Sequence, residues 1–248
     1  MAESETLIPL HEALRRNARN HPERDAYIWY GQHISWRQMD EASDAVAARL
    51  QALGVKKGEP VALFMNNCPQ YIVAHYAVQK IGAIVCPCGP LNKEHELEYQ
   101  LNDLQARVII AADVLLPVVD KVRSTTALQH VLAVRYADWL PAQPTLQLPA
   151  ELLAPVQPLP QGVESVWDIM HSGARPEPVA VSMDDVALMT YTSGTTGLPK
   201  GAMLSFGAAA HKTAGASAAT GVNDQDMLLA VAPLYHIAGM SMGVNMPV

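Results

Sequence analysis

Residues 191–201 read Y-T-S-G-T-T-G-L-P-K-G. Thr192, Ser193, Thr195 and Thr196 offer hydroxyl donors, while Gly194, Gly197 and Gly201 let the backbone approach an anion closely and take positive φ. Lys200 adds compensating charge. Such a segment suits a phosphate-binding loop. A plain Ser/Thr/Gly linker is the competing reading. Against it stand the run D-V-A-L-M-T-Y at 185–191, which predicts a buried strand leading in, and the apolar Ala202-Met203-Leu204 behind. The nucleotide loop G-x-x-x-x-G-K-[ST] is absent, because Lys200 precedes Gly201 and no Gly-Lys-Ser/Thr occurs in the chain.

Three other constellations compete for a chemical role. Residues 239–243, G-M-S-M-G, match the nucleophile elbow G-x-S-x-G, yet the residues after Gly243 include no acid and no histidine to complete a triad. Ser241 is therefore read as an ordinary helix residue. Cys86-Pro87-Cys88 with His95 has metal-like spacing but falls short of four ligands, and Cys68 has no paired partner, so the cysteines are read as buried, reduced thiols. Asp184-Asp185 precede the loop by the whole length of its strand, which makes them solvated strand-start carboxylates. No metal ligand is assigned.

The 191–201 segment resembles the signature loop of the adenylate-forming enzymes, the superfamily of acyl-CoA synthetases, firefly luciferase and nonribosomal peptide adenylation domains. P-L-Y-H-I-A-G-M at 233–240 is similar to the second core motif of that family. Residues 80–110, with G-A-I-V-C-P-C-G-P-L and E-L-E-Y-Q-L-N-D, are similar to the strand and helix before its acyl site. The wording is nearest to bacterial ligases for fatty acids. The resemblance implies an α/β fold of parallel-rich sheets with helices on both faces, as an incomplete N-terminal domain. It implies ATP, Mg2+ and coenzyme A as reactants, with a small carboxylic acid. The nucleotide would be held by Thr192, Ser193, Gly194, Thr195, Thr196, Gly197 and Lys200, and the acid by Tyr235, His236 and Met240. His236 and Lys200 would be the catalytic pair, although Tyr235 and Met240 would serve equally as core. The family's magnesium-binding glutamate, ribose-binding aspartate and C-terminal lysine are expected beyond Val248, so this portion is expected to be inactive alone. A nucleotide-binding fragment without turnover, or adenylation of an aryl or amino acid for a carrier protein, is the alternative.

The elements that must position these residues follow from hydrophobic spacing. The chain has 248 residues, of which 50% are apolar and 17% charged, with a formal net charge of −7 and no run of more than two Lys or Arg. That balance fits an ordinary globular protein and gives no support to a nucleic-acid or anionic-membrane surface. Without a basic leader or a spanning segment, a cytoplasmic location is expected, and an unpaired sheet edge leaves self-association open. Helical spacing covers 10–20 and 37–53, around a short hairpin at 26–36. From residue 58, strands at 61–65, 83–86, 108–111 and 131–134 alternate with helices at 70–80, 94–104 and 114–122, the pattern of a parallel sheet. Six prolines in 141–160 predict an irregular connection. A helix near 163–171, the loop strand, a helix at 206–219 and a strand at 227–231 complete the reading. The organisation is one α/β lobe (1–140), a Pro-rich connection (141–180) and a phosphate-loop segment (181–248).

Overall fold

The computed structural model describes residues 7–153, 155–192 and 198–248. Four five-residue apolar runs form its central strands: β3 (Pro60–Phe64), β4 (Ile84–Cys88), β5 (Val108–Ala112) and β6 (His130–Val134). All four are parallel and nearly wholly buried, as expected for strands covered on both faces. Alternation sorts their side chains. Val61 and Leu63 enter one core, and Ala62 and Phe64 the other.

The first core is closed by α1 (Leu10–Asn20), α2 (Trp36–Ala52) and α3 (Pro69–Lys80), the second by α4 (Glu94–Leu104) and α5 (Leu116–Arg123). The predicted spacing in α2 is realised, since Met39, Ala42, Val46 and Leu50 are all buried. Ser35 starts that helix with a capping box, accepting from the Gln38 amide at 3.2 Å while its own amide donates to Oε1 of Gln38 at 2.8 Å. The hairpin before it pairs β1 (Asp25–Trp29) with β2 (Gln32–Ser35) antiparallel. Helix α3 is buried on every side. At its last residue Lys80 Nζ lies 2.6 Å from Asp40 Oδ1 and 2.7 Å from Asp44 Oδ1, so the buried ammonium is fully paired.

The sheet has seven strands in the order β7-β6-β5-β3-β4-β8-β9, adding β7 (Val163–Ser165), β8 (Val186–Thr192) and β9 (Lys200–Ser205). Only β9 is antiparallel, folding back on β8 as the edge. Helix α7 (Phe206–Thr220) follows, capped by Ser205, which accepts from the Ala208 amide at 3.1 Å, and ended by left-handed Gly221.

Several local readings change. Residues 163–171 split into β7 and α6 (Val166–Met170), because Val163 pairs with the free edge of β6 and the Ser165 hydroxyl accepts the Asp168 amide at 3.2 Å. The 114–122 helix opens as a 3-10 turn, with Pro117 fixing the start of α5. Ala202 to Leu204, apolar residues given no element in the sequence reading, form part of β9. Residues 227–231 form no strand: no other strand pairs with them among the described residues, and Leu229 stays 84% exposed.

Candidate functional site

Strand β8 carries the Thr/Ser-rich segment to the carboxyl end of the sheet. Its ladder with β9 runs out at the pair Thr192 and Lys200, where Thr192 Oγ1 reaches the Lys200 carbonyl oxygen only at a long 3.5 Å. Both residues are exposed. Ser193, Gly194, Thr195, Thr196 and Gly197 lie outside the described residues. Gly201 sits opposite Tyr191, and a Cβ there would meet Met189 Sδ at 2.9 Å, so the glycine permits close pairing at this end of the ladder.

The second segment, 233–240, is held by side chains rather than a ladder. Asn67, just past β3, donates through Nδ2 to the carbonyls of Ala230 at 3.1 Å and Ala232 at 2.9 Å and accepts the Leu234 amide at 2.8 Å. One amide side chain thereby satisfies three backbone groups of an irregular stretch. The sequence reading missed this residue. Its only signal is an asparagine three residues past a buried strand, in a stretch where Asn commonly serves a turn.

Two glycines explain the shape of the turn that follows. A Cβ on Gly239 would lie 2.0 Å from the Pro233 carbonyl oxygen, and one on Gly243 would lie 2.7 Å from Leu234 Cδ2 and 2.9 Å from Ala230 Cβ. The G-x-S-x-G pattern is thus a groove of small residues four apart that receives the 230–234 stretch. Ser241, between them, is buried and donates to the Ile237 carbonyl at 2.8 Å, so its hydroxyl is engaged within the helix.

His236 is the N-cap of α8 (Ile237–Met240) and is exposed. Its Nδ1 accepts the Ala238 amide at 3.3 Å, which places the proton on Nε2, a donor without a partner among the described residues. Tyr235 is half-buried, with its ring within 3.7 Å of where a Cβ on Gly89 would stand. Met240 is fully enclosed in the first core beside the buried side chains of α3.

These pieces converge through the sheet. In the β4–β8 pairing Val85 stands opposite Leu188, so Cys88 and Tyr191 reach the carboxyl edge together on neighbouring strands. Tyr235 packs at Gly89, directly after β4, and Asn67 follows β3. The described flanks of the 191–201 segment and the 233–240 motif therefore lie at the carboxyl ends of three adjacent strands, where ligands of open α/β sheets bind. The other crevice, where the order turns back between β3 and β5, is bridged by Tyr136, whose hydroxyl accepts the Asn66 amide at 2.8 Å.

The remaining constellations have structural environments. Cys68, Cys86 and Cys88 are free and buried; burial pushes the Cys68 and Cys88 thiols up to about 12 and Cys86 higher still, so none is a ready thiolate. Asp185 bonds Lys57 at 2.7 Å, and that hydrogen bond, followed by one from the Ser182 amide, holds its carboxyl below the usual range. No group of three or more His, Cys, Asp or Glu suited to a metal occurs among the described residues. No helix among them is long and apolar enough to cross a membrane.

Known proteins share this arrangement along nearly the whole chain. Residues 14–248 match the family described as AMP-binding enzyme. A long-chain-fatty-acid–CoA ligase of Bacillus subtilis is 31% identical over 95% of the chain, and one of Escherichia coli O157:H7 is 33% identical over 96%. In both cases the chain spans 44% of the relative's length. Among solved structures, a long-chain-fatty-acid–CoA ligase of Archaeoglobus fulgidus superposes with a TM-score of 0.79 at 26% identity, over 98% of this chain and 46% of that one.

Proposed function

Because the chain belongs to the AMP-binding enzyme family, we propose that it carries the polyphosphate and acyl-carboxylate segments of a cytoplasmic acid–thiol ligase. The intact enzyme would activate a fatty acid with ATP and pass the acyl group to coenzyme A. In the first step a carboxylate oxygen attacks the α-phosphorus, pyrophosphate leaves, and an acyl-adenylate remains for a thiol to open. Both reactants are anions, so the protein must hold them against their repulsion and neutralise the departing phosphates, which is work for positioning and electrostatics.

The observation that carries this reading is the convergence of two differently built segments on one sheet edge. Lys200 and the hydroxyls flanking it, Thr192 among them, face the phosphate half of the task; His236, with Nε2–H unpartnered, faces the carboxylate half, with Tyr235 beside it. The fatty-acid assignment rests on the names of relatives that share about a third of the residues. Magnesium would enter as the nucleotide's counter-ion, neutralising charge on the phosphates.

Calorimetric titration of residues 1–248 with ATP tests the reading. The unaltered chain should bind, Lys200→Ala should weaken binding about tenfold through loss of one charge-assisted contact, and acyl-CoA should not accumulate with the chain alone. Indistinguishable titrations would remove Lys200 from the site, and turnover by the chain alone would overturn the division of labour.

A further inference from the structure

Helix α4 touches the phosphate segment at both of its flanks. Tyr99 and Asp103 are four residues apart and share one face of the helix. On the incoming side, the hydroxyl of Tyr191, in the last-but-one pair of the β8–β9 ladder, donates to Asp103 Oδ2 at 2.5 Å. On the outgoing side, the Tyr99 hydroxyl donates to the Pro199 carbonyl at 2.9 Å, one residue before β9 begins. The helix itself is anchored to the sheet edge, because Gln100 Nε2 donates to the Pro87 carbonyl at 2.8 Å.

We propose that Asp103 and Tyr99 are positioning residues for the polyphosphate segment, fixing its two flanks at a set separation. The proposal rests on the phosphate-binding reading given above. Proline makes the outgoing flank a natural point of attachment: Pro199 lacks an N–H, so its carbonyl is the only backbone group it can offer, and α4 takes it. Partial burial, followed by the hydrogen bond to Asp103, pushes the Tyr191 hydroxyl well up, so it remains a donor throughout the neutral range. Neither residue need touch a nucleotide. Their effect is to spare the ligand the cost of ordering the flanks when it binds.

The test is a set of titrations of residues 1–248 with inorganic pyrophosphate, using the unaltered chain, Lys200→Ala, Tyr99→Phe, Asp103→Ala and Asp103→Asn. Hydrogen exchange at the Thr192 and Lys200 amides and the thermal midpoint are followed alongside. Tyr99→Phe should weaken pyrophosphate about threefold and Asp103→Ala about tenfold, each with faster exchange at those two amides and an unchanged midpoint. Asp103→Asn, which keeps an acceptor, should recover most of the affinity. If Lys200→Ala weakens binding while the α4 variants do not, the tethers have no positioning role and the phosphate reading survives. If the unaltered chain does not bind, or Lys200→Ala changes nothing, the phosphate reading fails and the proposal falls with it.

Discussion

The β8–β9 hairpin and the 230–245 stretch reach the same edge of the sheet by opposite means. The hairpin spreads its stability over a backbone ladder from Val186 to Thr192, to which the tethers at Tyr191, Pro199 and Asp185 add single contacts. The 230–245 stretch lacks a ladder and takes its order from elsewhere: Asn67 for its entry, Tyr76, whose hydroxyl donates to the Val244 carbonyl at 2.7 Å, and the two glycines that admit it against the helix. Regular structure satisfies its own polar groups, whereas irregular backbone at a site depends on a few named side chains. Single substitutions should therefore be felt far more in the second region than in the first.

The largest expected effect comes from Gly239→Ala. In an exposed helix that change would gain about 1 kcal/mol from helix propensity. Here the new Cβ would stand 2.0 Å from the Pro233 carbonyl oxygen, a backbone atom that can yield only by moving the turn that bears His236. The expected outcome is a loss of about 3 kcal/mol or more, typical of forced overpacking, read as a lowered urea midpoint. A gain would mean that the turn and helix are not packed in this way.

Acid should act on the same side. His75 and His11 are buried in the first core, and burial pulls each to about 3 from the ordinary 6.5. His75 lies edge-on to Tyr76, which holds Val244, and His11 lies edge-on to Phe206 at the start of α7. Between pH 6.5 and 3 the unfolded chain binds these protons and the folded chain does not. Stability therefore falls as pH falls through that window, by about 1.4 kcal/mol per pH unit for each group. Asp138 works the other way: burial raises its carboxyl to about 6, so protonation relieves rather than costs. The net expectation is a urea midpoint lower at pH 5 than at pH 7, with the slope flattened in His75→Gln. An unchanged slope in that variant would mean that the ring titrates in the folded state.

The elements with strong periodicity were legible in the residues alone. Helix α2 and the four central strands carry their burial in the pattern of their residues, and the apolar run at 185–191 announced β8. What was not legible depends on pairing across distance. Whether Val163 joins β6, or Ala202 to Leu204 join β8, is settled by which edges are free, and whether 227–231 becomes a strand is settled by a neighbour it lacks among the described residues. Asn67 escaped notice for the same reason, since its three partners lie more than 160 residues away. The residues after Gly243 already set the nucleophile elbow aside, but the packing role of the two glycines depends on the positions of Pro233 and Leu234.

The smallest expected effect sharpens the contrast from the hairpin side. A Cβ on Gly201 would lie 2.9 Å from Met189 Sδ and 3.4 Å from Tyr191 Cζ, close enough that something must shift. The atom in the way belongs to an unbranched, flexible side chain, half-buried on the strand next to the sheet edge, so it can swing aside at little cost. Replacing glycine within a strand also removes conformational freedom from the unfolded chain, a gain of about 0.5–1 kcal/mol. The two terms nearly cancel, and Gly201→Ala should move the urea midpoint by less than about 1 kcal/mol in free energy. A loss as large as that of Gly239→Ala would mean that Met189 cannot yield and that the hairpin, too, is fixed by single contacts rather than by its ladder.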